Sequence, residues 1–145
     1  MIFLYFNYKK TREDYEYLLE LPKKNVKENG LINLESDNGK DIVSISQNAL
    51  LFIEAQDNYV AIQYLENETS KRELLRATMK SLEEKLKPYS VIRCHRSFMV
   101  NLNNIEKVVG NAHKLNLYLI NSRLPVPVSR SYISNVKELL DIHHK

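Results

Sequence analysis

The sequence predicts a mostly β domain of the β-rich α+β class. Three observations predict it: short runs rich in β-branched and aromatic residues recur between positions 31 and 128, tight-turn signals separate them, and two later segments switch to helical spacing. Strands and helices do not alternate, which disfavours an open parallel sheet. At 145 residues, 43% hydrophobic and 27% charged, the chain has the size of one domain with an arm of some 30 to 40 residues. A domain of that size buries about two thirds of its unfolded surface.

Taken in order, residues 11–28 (TREDYEYLLELPKKNVKE) are dense in charge and carry Tyr15, Leu18 and Leu19 at helical spacing, so a short amphipathic helix is expected there. Thr11 and Asp14 suit its start, Pro22 its stop, and Asn29-Gly30 the turn that follows. Residues 1–30 therefore read as an N-terminal helical arm or linker. Runs at 31–34, 42–45, 50–54 and 59–65 then read as strands. Asp37-Asn38-Gly39 turns between the first two, and Gln56-Asp57-Asn58 between the last two. Residues 78–86 (TMKSLEEKL) place Met79, Leu82 and Leu86 on one face of a middle helix that Pro88 closes. Strand character resumes at 91–100, 105–109, 114–120 and 124–128, with turns at Gly110-Asn111 and Asn121-Ser122. A C-terminal helix over 131–143 carries Ile133, Val136 and Leu140.

Several function classes are excluded or disfavoured. Three glycines, none in a strand-to-helix turn, leave no Rossmann or P-loop fingerprint. The single cysteine, Cys94, forbids an intramolecular disulfide and suits a reducing cytoplasm. Cys94 and His95 are neighbours on an expected strand and point to opposite faces, so they neither share a metal ion nor form a nucleophile–base pair, and His113, His143 and His144 are too scattered to help. No catalytic residue, cofactor, metal or small-molecule substrate is expected, and Cys94 reads as a small apolar core residue. The apolar start MIFLYF is too short to span a bilayer; the basic Lys9, Lys10 and Arg12 behind it would also suit the cytoplasmic end of a membrane helix lying outside these residues.

Polyanion binding fits better, through arrangement rather than bulk charge, since the net charge is only +3. Arg93, His95 and Arg96 lie within four positions (RCHR), followed by Ser97, Asn101, Asn103 and Asn104. On a regular strand Arg96 faces away from Arg93 and His95, and a bulge would let them converge. Ser129-Arg130-Ser131-Tyr132 begins a helix whose amides can meet a phosphate. Lys71, Arg72, Arg76 and Lys80 flank the middle helix, and Asn58 at a loop tip offers an amide suited to an adenine edge. Singly, each is better explained by a solvated turn or a surface salt bridge.

In order, the segments LFIEAQDNYVAIQYL (51–65), TMKSLEEKL (78–86), VIRCHRSFMVN (91–101), NIEKV (104–108) and LPVPVSRSY (124–132) resemble the LytTR DNA-binding domain family of bacterial transcription regulators, over about residues 42–140. The resemblance implies a stack of small antiparallel sheets with one middle helix and a C-terminal helix, inserting loops into the major groove. It implies no enzyme. Residues 31–145 would form this domain. Base contacts would fall to Asn58, Arg96 and Arg130, the arginines forking onto guanine O6 and N7. Phosphate contacts would fall to Arg76, Thr78, Lys80, His95, Ser97 and Ser129. Many family members carry a receiver domain ahead of this one, for which 30 to 40 residues leave no room. The arm is then either a dimer contact of a stand-alone regulator or a juxtamembrane stub, with the signal arriving from a sensor kinase or membrane-bound partner. Expected partners are double-stranded DNA and a second copy on paired sites, in the cytoplasm, with inner-membrane tethering through a segment outside this chain as the variant. The competing class is a non-catalytic protein-interaction module that pairs its exposed strand edges with a partner.

Overall fold

The computed structural model describes residues 3–5, 15–20 and 30–140. Twelve strands occur among them: β1 Phe3–Tyr5, β2 Tyr15–Glu20, β3 Leu31–Glu35, β4 Ile42–Ser46, β5 Leu50–Gln56, β6 Tyr59–Glu66, β7 Thr69–Leu75, β8 Val91–His95, β9 Phe98–Asn101, β10 Ile105–Gly110, β11 Leu115–Leu119 and β12 Val126–Val128. The helices are α1, Met79–Leu86, and α2, Arg130–Leu139. All pairings are antiparallel, in three sheets ordered β1-β2-β10-β11-β12, β3-β4 and β7-β6-β5-β9-β8.

The last of these sheets is the middle layer, because each of its faces carries a separate core. One core joins Ile53, Val60, Ile62, Val91 and Met99 of this sheet to Ile32, Leu34 and Ile45 of the β3–β4 hairpin and to Met79, Leu82 and Leu86 of α1. The other joins Phe52, Cys94 and Val100 to Val108, Leu117 and Val126 of the β10–β12 sheet and to Ile133 and Val136 of α2. Strand alternation sends Met99 one way and Val100 the other. A register shift between Leu50 and Phe52 interrupts the alternation, and both Leu51 and Phe52 enter the second core while Leu50 and Ile53 stay in the first.

The predicted class and stacking are present, as are the two helices. Four elements differ. Phe3–Tyr5, within the expected helical arm or linker, is a strand paired with β2. Tyr15–Glu20 is a strand, not the expected helix: Tyr15 to Leu18 register against Gly110 to Lys107 on the free edge of β10, and the sheet pairing overrides local helical spacing. The rest of that expected helix lies outside the described residues. The run 91–100 is two strands, folded back at Arg96-Ser97. β7 was not expected, because Thr69 to Leu74 are exposed and leave no alternation in TSKRELL. Its charges suit an edge strand that discourages further pairing. The expected C-terminal helix is seen to Leu139; residues 141–145, with His143 and His144, lie outside the described residues.

Candidate nucleic-acid interface

The β5–β6 connection is a two-residue turn, Gln56 facing Tyr59, with Asp57 at φ 52° and Asn58 exposed at the tip. The β8–β9 connection is also a two-residue turn, His95 facing Phe98, with Arg96 exposed between them. Since β5 runs antiparallel to β9, with Glu54 opposite Phe98, the two turns sit at the same end of the middle sheet. A hydrogen bond from the Ala55 amide to the Ser97 carbonyl, 2.9 Å, ties them. Their hairpin axes are two strand spacings apart, roughly 10 Å.

The same edge gathers the remaining sequence-predicted residues. β7 ends beside the start of β6, Leu75 opposite Val60, so Arg76, Thr78 and Lys80 follow directly at this end. The Arg76 guanidinium lies 5.8 Å from the centre of the Tyr59 ring, a cation–π contact at the mouth of the Asn58 turn. Thr78 caps α1 through a reciprocal box, its Oγ1 accepting from the Ser81 amide at 3.1 Å and its own amide donating to Ser81 Oγ at 3.3 Å. At the other side, the Ser129 amide donates to the Cys94 carbonyl at 3.0 Å, bringing the exposed Arg130 and the first turn of α2 next to the Arg96 turn. Ser129 occupies the N-cap of α2 without a side-chain cap bond. All nine predicted residues therefore lie along one edge, while Lys71 and Arg72, grouped with them in the sequence, stand within β7 opposite Tyr64 and Gln63.

The RCHR cluster divides its labour. A register shift between Arg93 and His95 supplies the bulge the sequence required. Arg93 turns inward: Nη1 reaches Glu83 Oε1 at 2.9 Å, Nε the His95 carbonyl at 3.2 Å and Nη2 the Arg96 carbonyl at 2.8 Å. Cys94 is buried, and burial pushes its thiol up to about 12, so it stays protonated. His95 Nδ1 accepts from the Ser97 amide at 3.0 Å, and its ring meets Phe98 edge-on at 5.5 Å. A neutral His95 then carries its proton on Nε2, a donor suited to a phosphate.

The asparagines after this cluster do different work. Asn101 and Asn104 are 1% and 2% exposed, and both donate Nδ2 to the Leu50 carbonyl, at 2.8 and 2.7 Å. They staple the β4–β5 connection and face no ligand. Lys40 was missed: the Asp37 amide bonds to the Arg76 carbonyl at 2.8 Å and brings the β3–β4 turn to the same edge. There a cleft of about 490 Å³ opens between Lys40, Asp41, Tyr59, Glu73 and Arg76, with charges of both signs. No pattern in the sequence signals that tertiary bond. Among the described residues no cluster of His, Cys, Asp and Glu could hold a metal ion, and no helix is long and apolar enough to cross a membrane.

Comparison with known proteins agrees with the fold. The model of the LytTr DNA-binding domain matches residues 40–141. An uncharacterized response regulatory protein of Vibrio cholerae is 33% identical over 68% of this chain and 37% of its own length. The sensory transduction protein LytT of Bacillus subtilis is 26% identical over 72% of this chain and 42% of its own. The chain thus matches about two fifths of these relatives. A solved LytTr DNA-binding domain from Bacillus cereus superposes with a TM-score of 0.57 at 27% identity, covering 76% of this chain and 95% of that one. By the span of the family match and the shared fold, this chain belongs to the LytTr DNA-binding domain family.

Proposed function

We propose that the chain is the sequence-specific double-stranded DNA-binding part of a bacterial transcription regulator, and that the edge formed by the β5–β6 turn, the β8–β9 turn and the starts of α1 and α2 is its reading surface. The observation that carries this is the convergence of exposed Asn58, Arg96 and Arg130 at one end of one sheet. Two turns roughly 10 Å apart cover about three base-pair steps of 3.4 Å. Asn58, Arg96 and Arg130 read base edges, while Arg76, Thr78, Lys80, His95, Ser97 and Ser129 hold phosphates and set the register. The work is binding, with no chemical step.

The five-stranded edge spans four strand spacings, roughly 19 Å, or about six base pairs. A site that short recurs often in a genome, which favours a homodimer on paired sites. A response regulatory relative and a sensory transduction relative support an input from a sensor kinase, with the DNA-bound domain working in the cytoplasm. Docking through strand edges is less favoured, because the free edge at β7 carries Lys71, Arg72 and Glu73.

The test is fluorescence anisotropy against duplexes selected from a random pool, at several salt concentrations, with and without Arg130→Ala. A consensus, a steep salt slope and a loss of preference in Arg130→Ala are expected. Binding that ignores both sequence and salt would overturn the proposal in favour of a protein partner.

A further inference from the structure

Arg93 is the one arginine of the RCHR cluster that is withdrawn from solvent. Its side chain is 19% exposed and its partner Glu83 37%, whereas the pair Lys87–Glu84 on the same helix region stands at 68% and 83%. The second pair is an ordinary solvated contact. The first is bound into the fold. A guanidinium presents five N–H donors in a rigid plane, and here the three nitrogens address three different groups: a carboxylate on α1 and the carbonyls of His95 and Arg96.

Those two carbonyls flank the tip of the β8–β9 turn, where the strand ladder ends and backbone oxygens otherwise turn to water. The opposite side of the turn is held as well, by the Ser97 amide on His95 Nδ1 and by the Ser97 carbonyl accepting from Ala55. From the His95 carbonyl to the Ser97 carbonyl the backbone is tied at four points, which leaves the Arg96 side chain as the free group. Glu83 lies one helical turn beyond Lys80, so the ion pair also fixes the distance between α1 and the turn.

We propose that Arg93, oriented by Glu83, is a positioning residue for DNA recognition: it touches no DNA and sets the aim of Arg96 against the phosphate-holding start of α1. The inference rests on the reading surface proposed above. Its physical basis is preorganisation, in which a side chain presented from a rigid turn loses less conformational entropy on binding than one on a mobile loop. Lysine cannot replace it, since a point charge on a flexible stem does not bridge three acceptors in one plane.

The experiment compares wild type, Arg93→Gln, Arg93→Lys and Glu83→Gln in two measurements on the full chain. One is affinity for the selected duplex relative to a random duplex, with its salt slope. The other is hydrogen exchange at the Ser97 and Ala55 amides. Both Arg93 variants should lose about tenfold in the preference ratio with an unchanged salt slope, and both amides should exchange about tenfold faster. In an Arg96→Ala background the Arg93 substitution should cost no further preference, because the group it aims is gone. Glu83→Gln, which keeps the fork and its carbonyl bonds, should show a smaller loss of the same kind, and it carries the test if Arg93→Gln does not fold.

A salt slope lowered by about 0.9 would make Arg93 a phosphate contact and overturn the inference. So would full preference in Arg93→Lys, or unchanged exchange at both amides. A wild-type chain that preferred no duplex would overturn the proposed function and the recognition half of this inference together. The exchange data would still decide whether Arg93 holds the turn.

Discussion

Asn101 offers the sharpest quantitative prediction, because every bond its side chain makes is visible. Nδ2 donates to the Leu50 carbonyl at 2.8 Å and to the Gln47 carbonyl at 3.2 Å, and Oδ1 accepts from the Asn103 amide at 3.1 Å. The residue is 1% exposed, so water cannot replace these partners in place. At a net 0.5–1.5 kcal/mol for each of three bonds, Asn101→Ala should lose roughly 3 kcal/mol. For a domain of this size that lowers Tm by about 6 to 12 °C. Urea unfolding should show the loss as a lower midpoint with an unchanged slope. Since Asn104 Nδ2 shares the Leu50 carbonyl, at 2.7 Å, the double Asn101→Ala/Asn104→Ala variant should depart from the sum of the single losses. Duplex preference, measured well below the transition, should be unchanged. A loss under about 1 kcal/mol, or a loss of DNA preference in a stable variant, would refute the staple and return Asn101 to the interface.

Three further outcomes follow from other parts of the molecule. At Gly110, with φ 156°, an added Cβ would lie 2.0 Å from the Lys114 carbonyl oxygen; Gly110→Ala should cost more than about 3 kcal/mol in urea unfolding, and a cost under 1 would contradict the close approach of β10 and β11. The folded Cys94 thiol holds its proton up to about pH 12, while the unfolded thiol releases it from about pH 9. Its contribution is therefore full below pH 9 and is lost as the pH rises towards 12, at most about 1.4 kcal/mol per unit; the stability of wild type should fall relative to Cys94→Ala over this window, and parallel curves would contradict it. Lys80→Ala should weaken binding to all duplexes alike and lower the salt slope by about 0.9, and a selective loss on the preferred duplex would remove Lys80 from the phosphate group.

What the sequence made legible follows from how each residue type announces itself. Strands buried on both faces, such as β5 and β6, stand out as dense apolar runs, and the Met79-Leu82-Leu86 spacing marks α1. β7 does not stand out, since six of its seven residues are exposed and only pairing with β6 makes it a strand. Tyr15–Glu20 has helical spacing on paper and becomes a strand because β10 offers it a free edge, a fact about another part of the chain. The same limit governs the candidate site. Asn58, Arg96 and Arg130 could be named because turns and a helix start present them, with motif order adding the roles. Arg93 is indistinguishable from Arg96 in the string RCHR until the bulge and Glu83 set its direction. Asn101 and Asn104 looked like surface amides for the same reason: their acceptors, at Gln47, Asn48 and Leu50, lie about 50 positions away.

Contact between one edge of the middle sheet and the duplex can be read from the amide chemical shifts of the isotope-labelled chain, titrated with the selected duplex. Perturbations should concentrate at 57–58, 76–80, 95–97 and 129–131, with β10 and β11 unaffected. Perturbations centred on the β10–β12 sheet, or on the free edge of β7, would contradict it.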